Sequence, residues 1–270
     1  MTLLMKKSAS VIKAFKWMVP AICIISLISS CKQQKEDFPY PDTLDKYMPL
    51  AVGKSFTYRL DSTIPSIDAK SLVVHRYLVK DTIDAIVNDA QGRPSYRIRR
   101  FITDSLGAGP WTDNTTFLAT PVSNPSLGAS IEFVDNNLRF IKLKTPLKDG
   151  FTWKGNSYIN TTPGYTNLYY LDDWDYTYQD MGTAATIGTN SYDDVATVLQ
   201  HPDEGGNANL QDPNVTNDQR IYSIEKYASG IGLVYKEFIF WEFQRDPADA
   251  ERYYFQDYSY GVKLTLIKHN

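Results

Sequence analysis

Ile131-Glu132-Phe133-Val134 and Leu138-Arg139-Phe140-Ile141-Lys142-Leu143 stand on either side of Asp135-Asn136-Asn137. Apolar residues alternate with polar ones in both runs. The asparagines between them suit the left-handed backbone of a tight hairpin turn. The same grammar extends outward. The runs 72–87 and 95–102 flank Asp89-Ala90-Gln91-Gly92, a second hairpin signal. Residues 54–60, 168–179, 194–200, 219–227, 232–244, 252–258 and 262–268 also read as strands. The end of the longer run 72–87, at 81–87, is also compatible with a helix. No amphipathic pattern of four helical turns occurs. The expectation is a mostly β chain: residues 46–270 as a single domain of antiparallel strands forming a curved sheet, half-barrel or sandwich, with few short helices.

Residues 1–30 differ from the rest. Lys6, Lys7, Lys13 and Lys16 precede a short apolar run through Trp17, Ile22, Ile24, Ile25, Leu27 and Ile28. A basic start, a short apolar stretch and a small-residue exit describe a secretory signal peptide. The exit, Ile28-Ser29-Ser30-Cys31, resembles the lipobox of bacterial lipoproteins. That resemblance implies cleavage before Cys31, lipidation of its sulfur and a membrane partner reached through the lipid. Residues 31–45 read as a polar, proline-bearing tether. Within it Lys35-Glu36-Asp37 resembles the surface-export signals of Bacteroidota lipoproteins.

Composition narrows the function classes. The chain has 270 residues and a formal net charge of −3, which becomes about −7 once the four signal lysines leave. An acidic domain repels nucleic acid and anionic headgroups, so no nucleic-acid partner is expected. The only cysteines are Cys23, inside the signal, and Cys31. A disulfide framework and a cysteine-ligated metal are therefore excluded. Tyrosine is abundant, with 19 residues, and suits strands and half-buried surfaces.

No Walker loop, H-E-x-x-H, C-x-x-C or G-x-S-x-G is present. Gly230-Ile231-Gly232-Leu233-Val234 lacks the last glycine of a dinucleotide loop, and its glycines read as a bulge or sheet bend. His75, His201 and His269 select no catalytic group. The stretch Asp172-Asp173-Trp174-Asp175-Tyr176-Thr177-Tyr178 has two readings. As a strand it puts Trp174, Tyr176 and Tyr178 on one face and Asp173 and Asp175 on the other. Rings can stack on sugars while carboxylates bind hydroxyls, or act as a glycosidase pair. Equally, the rings fill a core and the acids meet water. Asp203, Glu204, Asp212, Asn214, Asn217 and Asp218 form an acidic loop with oxygen ligands but no EF-hand spacing. Four Asp-Ser/Thr segments, at 42–44, 61–63, 81–83 and 104–106, resemble Bacteroidota O-glycosylation acceptors and also suit turns.

Two segments resemble each other: Pro49-Leu50-Ala51-Val52-Gly53-Lys54-Ser55-Phe56 and Pro146-Leu147-Lys148-Asp149-Gly150-Phe151-Thr152-Trp153. Each pairs a Pro/Gly turn with a following aromatic strand, a hint of two related sheet halves. Together with the Tyr192-to-Val198 strand, Y-D-D-V-x-x-V, and the late Tyr227-to-Val234 strand, they resemble Bacteroidota-type envelope lipoproteins with curved, lipoprotein-carrier-like sheets. The resemblance implies fold and an outer-membrane location, not an activity. The expected function is a non-enzymatic domain binding a ligand or partner, with no cofactor and no metal. An apolar ligand or a glycan is the candidate occupant. A carbohydrate-binding or carbohydrate-active lipoprotein and a purely structural envelope component are the alternatives.

Overall fold

A computed structural model describes residues 43–270, apart from 125, 163, 165–167, 206–216 and 247. The predicted signal peptide, Cys31 and most of the tether lie outside the described residues. So does most of the acidic loop.

The described residues form thirteen strands in one antiparallel sheet. The first half is a meander of β1 (Ser55–Pro65), β2 (Leu72–Asn88), β3 (Pro94–Asp104), β4 (Thr112–Asn124), β5 (Gly128–Asp135) and β6 (Leu138–Lys144). The second half runs through β7 (Thr152–Lys154), β8 (Asp175–Ile187), β9 (Asn190–Gly205), β10 (Asn217–Ala228), β11 (Gly232–Asp246), β12 (Asp249–Phe255) and β13 (Tyr260–His269). β13 pairs with β1, and β12 is a flap paired with β11.

The remaining two sheet ends, β6 and β7, also meet. Ile141 N–H donates to Gly155 O at 2.8 Å, and the Trp153 indole donates to Ile141 O at 2.8 Å. The Tyr178 hydroxyl adds a bond to Lys144 O at 2.9 Å. The sheet is thus rolled into a nearly closed barrel, which removes its exposed edges. The expected single β domain with a curved sheet is what forms.

Local chemistry sets the turns. Asn136 and Asn137 have φ of 48° and 63°, the two left-handed residues that a type I′ hairpin requires. The Asp89 carboxylate accepts the backbone N–H groups of Gln91 and Arg93 at 2.8 and 2.9 Å and fixes the β2–β3 turn. Asp104 does the same for Leu106 at 2.8 Å, so the 104–106 segment is turn chemistry.

Several expectations need correction. Of the two readings of residues 81–87, strand is the one that forms. The run 168–179 is broken: Tyr169–Leu171 is a 3-10 turn, and Asp173, at φ 57°, redirects the chain before β8 begins. β4 and the second half of β8 form strands beyond those the sequence pattern marks. Gly230 and Gly232 make the β10–β11 turn, while the bulge lies between Lys226 and Tyr227.

Residues 43–50 plug one end of the barrel. Leu44 and Tyr47 are buried in the aromatic core with Trp153, Tyr176 and Tyr178, so the packed structure begins ahead of residue 46. Gly230 N–H donates to Lys46 O at 2.7 Å, and the Tyr47 hydroxyl donates to Asp194 at 2.6 Å. Among the described residues no helix is long and apolar enough to cross a membrane.

Candidate functional site

Inward-facing positions of a barrel are ordinarily apolar, because they are shielded from water. Here charged residues interrupt that pattern in phase with it. Asp81 lies between Val79 and Ile83 on the same face of β2. Arg100 lies between Ile98 and Ile102 on β3, and Lys236 between Val234 and Phe238 on β11. Lys142 on β6 and Glu225 on β10 complete an interior cluster. Each of these residues sits where its strand points an aliphatic or aromatic neighbour inward.

The cluster is mostly paired. Arg100 donates to both oxygens of Asp81 at 2.6 and 2.7 Å and lies 4.8 Å from the Phe117 ring centre. Burial opposes the guanidinium charge, and Asp81 more than offsets this. Glu225 accepts from Lys142 at 2.8 Å and from the Tyr227 hydroxyl at 2.6 Å. Burial alone would raise its pKa. The Lys142 and Lys236 charges and these hydrogen bonds win, holding the carboxyl below its ordinary range. Lys236 reaches the same carboxylate only at 3.7 Å. Its pKa is lowered, first by burial and then by the Lys142 charge, against the pull of Glu225 and Asp135. Beside them Gln200, 2% exposed, accepts a bond from Ser223 at 2.7 Å, while its Nε2 has no partner.

These groups line a cavity of about 560 Å³ inside the barrel. It runs from the N-terminal plug, at Met48 and Leu50, to exposed Asn114 and Asn136 at the opposite end. Asn136 sits in the β5–β6 turn, which a meander places away from the plugged end. Near this mouth the walls are aromatic. Phe238 lies 5.0 Å from Tyr260 and 6.2 Å from Trp174, and Tyr170 stacks on Phe240 at 4.1 Å. The site therefore joins an apolar, ring-lined channel to a deep polar floor.

The residues singled out from sequence separate into two groups. Trp174, Tyr176 and Tyr178 are buried, and Trp174 and Tyr176 line the cavity. Asp173 and Asp175 lie outside it, exposed and ion-paired with Lys154 at 2.6 and 2.9 Å. The five do not form one site, and no outward-facing ring platform exists on this segment. Tyr178 serves the β6–β7 seam instead. His75 and His269 are exposed, and His201 packs against Trp174 at 4.9 Å. Of the acidic loop, Asp203 is paired with Arg220 at 2.7 Å. No group of His, Cys, Asp or Glu among the described residues has a metal-binding arrangement.

Sequence reasoning passed over the interior cluster because it assigned charged residues to solvent. For Asp81, Arg100 and Lys236 the signal is present as phase: a charge two residues from an apolar neighbour on either side. Comparison of the chain with known protein families, curated proteins and solved structures gives no match.

Proposed function

We propose that this protein is a lipid-anchored envelope protein whose barrel holds a small amphiphilic ligand in its interior. The cavity carries the reading. Its volume, about 560 Å³, lies in the range of small-molecule sites, and its mix of rings with a few polar groups is the usual lining of such sites. A barrel serving only as scaffold gains nothing from interior charge, which costs desolvation energy. The binding of an internal ligand gives those groups a purpose.

Anchoring rests on the Ile28-to-Cys31 resemblance, with Cys31 carrying the lipid and the outer membrane as the location. The chain enters the domain at the plugged end, opposite the mouth.

Fluorescence of the neutral dye N-phenyl-1-naphthylamine tests the cavity. Saturable enhancement at one dye per chain, lost when Thr115→Trp fills the channel, is the expected result. No binding by the natural protein sinks the reading. Displacement of the dye by oligosaccharides, but not by alkyl compounds, would instead favour the glycan alternative. For the anchor, Cys31→Ser should move the protein from the membrane pellet to the soluble fraction.

A further inference from the structure

The polar floor holds more hydrogen-bond donors than acceptors. Both oxygens of Asp81 are taken by Arg100. Glu225 is taken by Lys142 on one oxygen and Tyr227 on the other. The side-chain oxygen of Gln200 is taken by Ser223. Two donor groups remain. The Lys236 ammonium has one described carboxylate within 4 Å, Glu225 at 3.7 Å, which is beyond hydrogen-bonding range. The Gln200 amide nitrogen has none. Both line the cavity, from β11 and β9, on either side of β10.

We infer that the ligand is an acidic amphiphile, an apolar tail bearing an anionic head, whose head is bound at the floor by Lys236 and Gln200. This rests on the interior-ligand reading above and names the ligand's chemistry. Buried donors left without acceptors cost free energy, and an anion supplies several acceptors at once. The Lys236 charge is held against burial and the nearby Lys142 charge, so a negative group beside it relieves both. Direction follows from the strand. Phe238 is the next inward residue of β11 toward the mouth, facing Tyr260 and Trp174. A head at Lys236 thus places the tail between these rings. A third described acid of the lining, Asp135, sits beside Asn136 at the β5–β6 turn and also favours the Lys236 charge. The head therefore binds against its repulsion and gains from Lys236 what Asp135 does not supply at hydrogen-bonding distance.

Calorimetric titration of the purified full-length protein with decanoate, decanol and decylamine, which share one tail, tests this. Decanoate should bind at least about tenfold more tightly than decanol, the scale of a hydrogen bond to a charged group. Lys236→Met should erase that preference while decanol still binds, and Lys236→Arg should keep it. Equal affinity for decanoate and decanol overturns the inference and leaves the interior-ligand reading standing. So does tightest binding of decylamine, or an unchanged preference in a folded Lys236→Met protein. Failure of all three to bind overturns both.

Discussion

Gly53 and Gly150 occupy the same place in the two halves of the barrel. Gly53 donates its N–H to Ile83 O at 2.8 Å, and Ile83 returns a bond to Lys54 O at 2.9 Å. Gly150 donates to Tyr178 O at 2.9 Å, and Tyr178 returns a bond to Phe151 O at 3.1 Å. Both glycines have positive φ, 96° and 75°. The P-L-x-x-G likeness seen in the sequence is thus one backbone device used twice, at the start of β1 and of β7. Each copy hooks the incoming chain onto the second strand of its half.

Alanine at either glycine should cost the same. A Cβ meets nothing within 4 Å at Gly53 or Gly150. Only the left-handed backbone is penalised, by about 1–2 kcal/mol. Urea denaturation of the two single variants should give matching losses. Widely different values would mean the two hooks are not equivalent.

Gly155 is a different kind of glycine. Its φ is ordinary, but a Cβ there would run into the Tyr176 ring. Its carbonyl also closes the barrel seam against Ile141. Gly155→Ala should destabilise by about 1–3 kcal/mol through overpacking. Combining it with Tyr176→Leu should recover part of that loss in a double-mutant cycle. Strict additivity would show that the ring is not what alanine displaces.

Glu225→Gln should unfold the barrel far more readily than Lys236→Met. The first leaves Lys142 and Lys236 buried without their shared counter-charge, at a cost of about 3–5 kcal/mol. The second removes the poorly paired charge and keeps the Lys142–Glu225 bond, so stability should hold or rise at neutral pH. The pH dependence follows. The Glu225 pKa is depressed in the folded protein, so its contribution is present above the ordinary glutamate value of 4.5 and lost as the pH falls through the folded value. Lys236 is depressed as well, so its penalty persists at neutral pH and fades as the pH rises toward 10.5. Melting temperatures of both variants from acid to alkaline pH check these signs.

Asp81 and Arg100 should behave as a unit. Asp81→Asn alone leaves the guanidinium inside the barrel uncompensated and should cost about 3–5 kcal/mol. Asp81→Leu with Arg100→Met should cost clearly less than the sum of the two single changes. Chemical denaturation of the full cycle measures the coupling, and a coupling near zero would refute the pairing.

Alkali should loosen the plug. Burial, then the hydrogen bond to Asp194, pushes the Tyr47 pKa up to about 12. A raised tyrosine pKa means that its contribution is intact below the ordinary value of 10 and is lost as the pH climbs through the folded value. Tyr47→Phe should lower stability by about 1 kcal/mol at neutral pH. The gap to the natural protein should then close in strong alkali. A gap that stays constant from neutral to strongly alkaline pH would contradict this.

What the sequence made legible was local. The Asn136-Asn137 turn, the Asp89 turn and the alternation of β1, β5 and β10 follow from residue chemistry within a few positions. β4 carries little signal because Thr112-Asp113-Asn114-Thr115-Thr116 is polar at every position, on the face toward the cavity mouth as on the face toward water. Alternation then has no apolar partner to reveal it. The cavity itself is the product of strands far apart in the chain: Lys142 meets Glu225 across 83 residues. The burial of Trp174 and Tyr176 was one of two open readings, and only the closed sheet decides between them. Asp173 faces outward not by strand alternation but through its left-handed turn.

The first strand lies beside the last. Phe56 is registered with His269, and Asn270 bonds to Ser55, 215 residues away. Neither half can finish the ring alone, so the cavity comes into being only when β13 has paired with β1. Contacts so distant in sequence form slowly. Until then there is no enclosed interior, and a ligand that needs one has nowhere to bind.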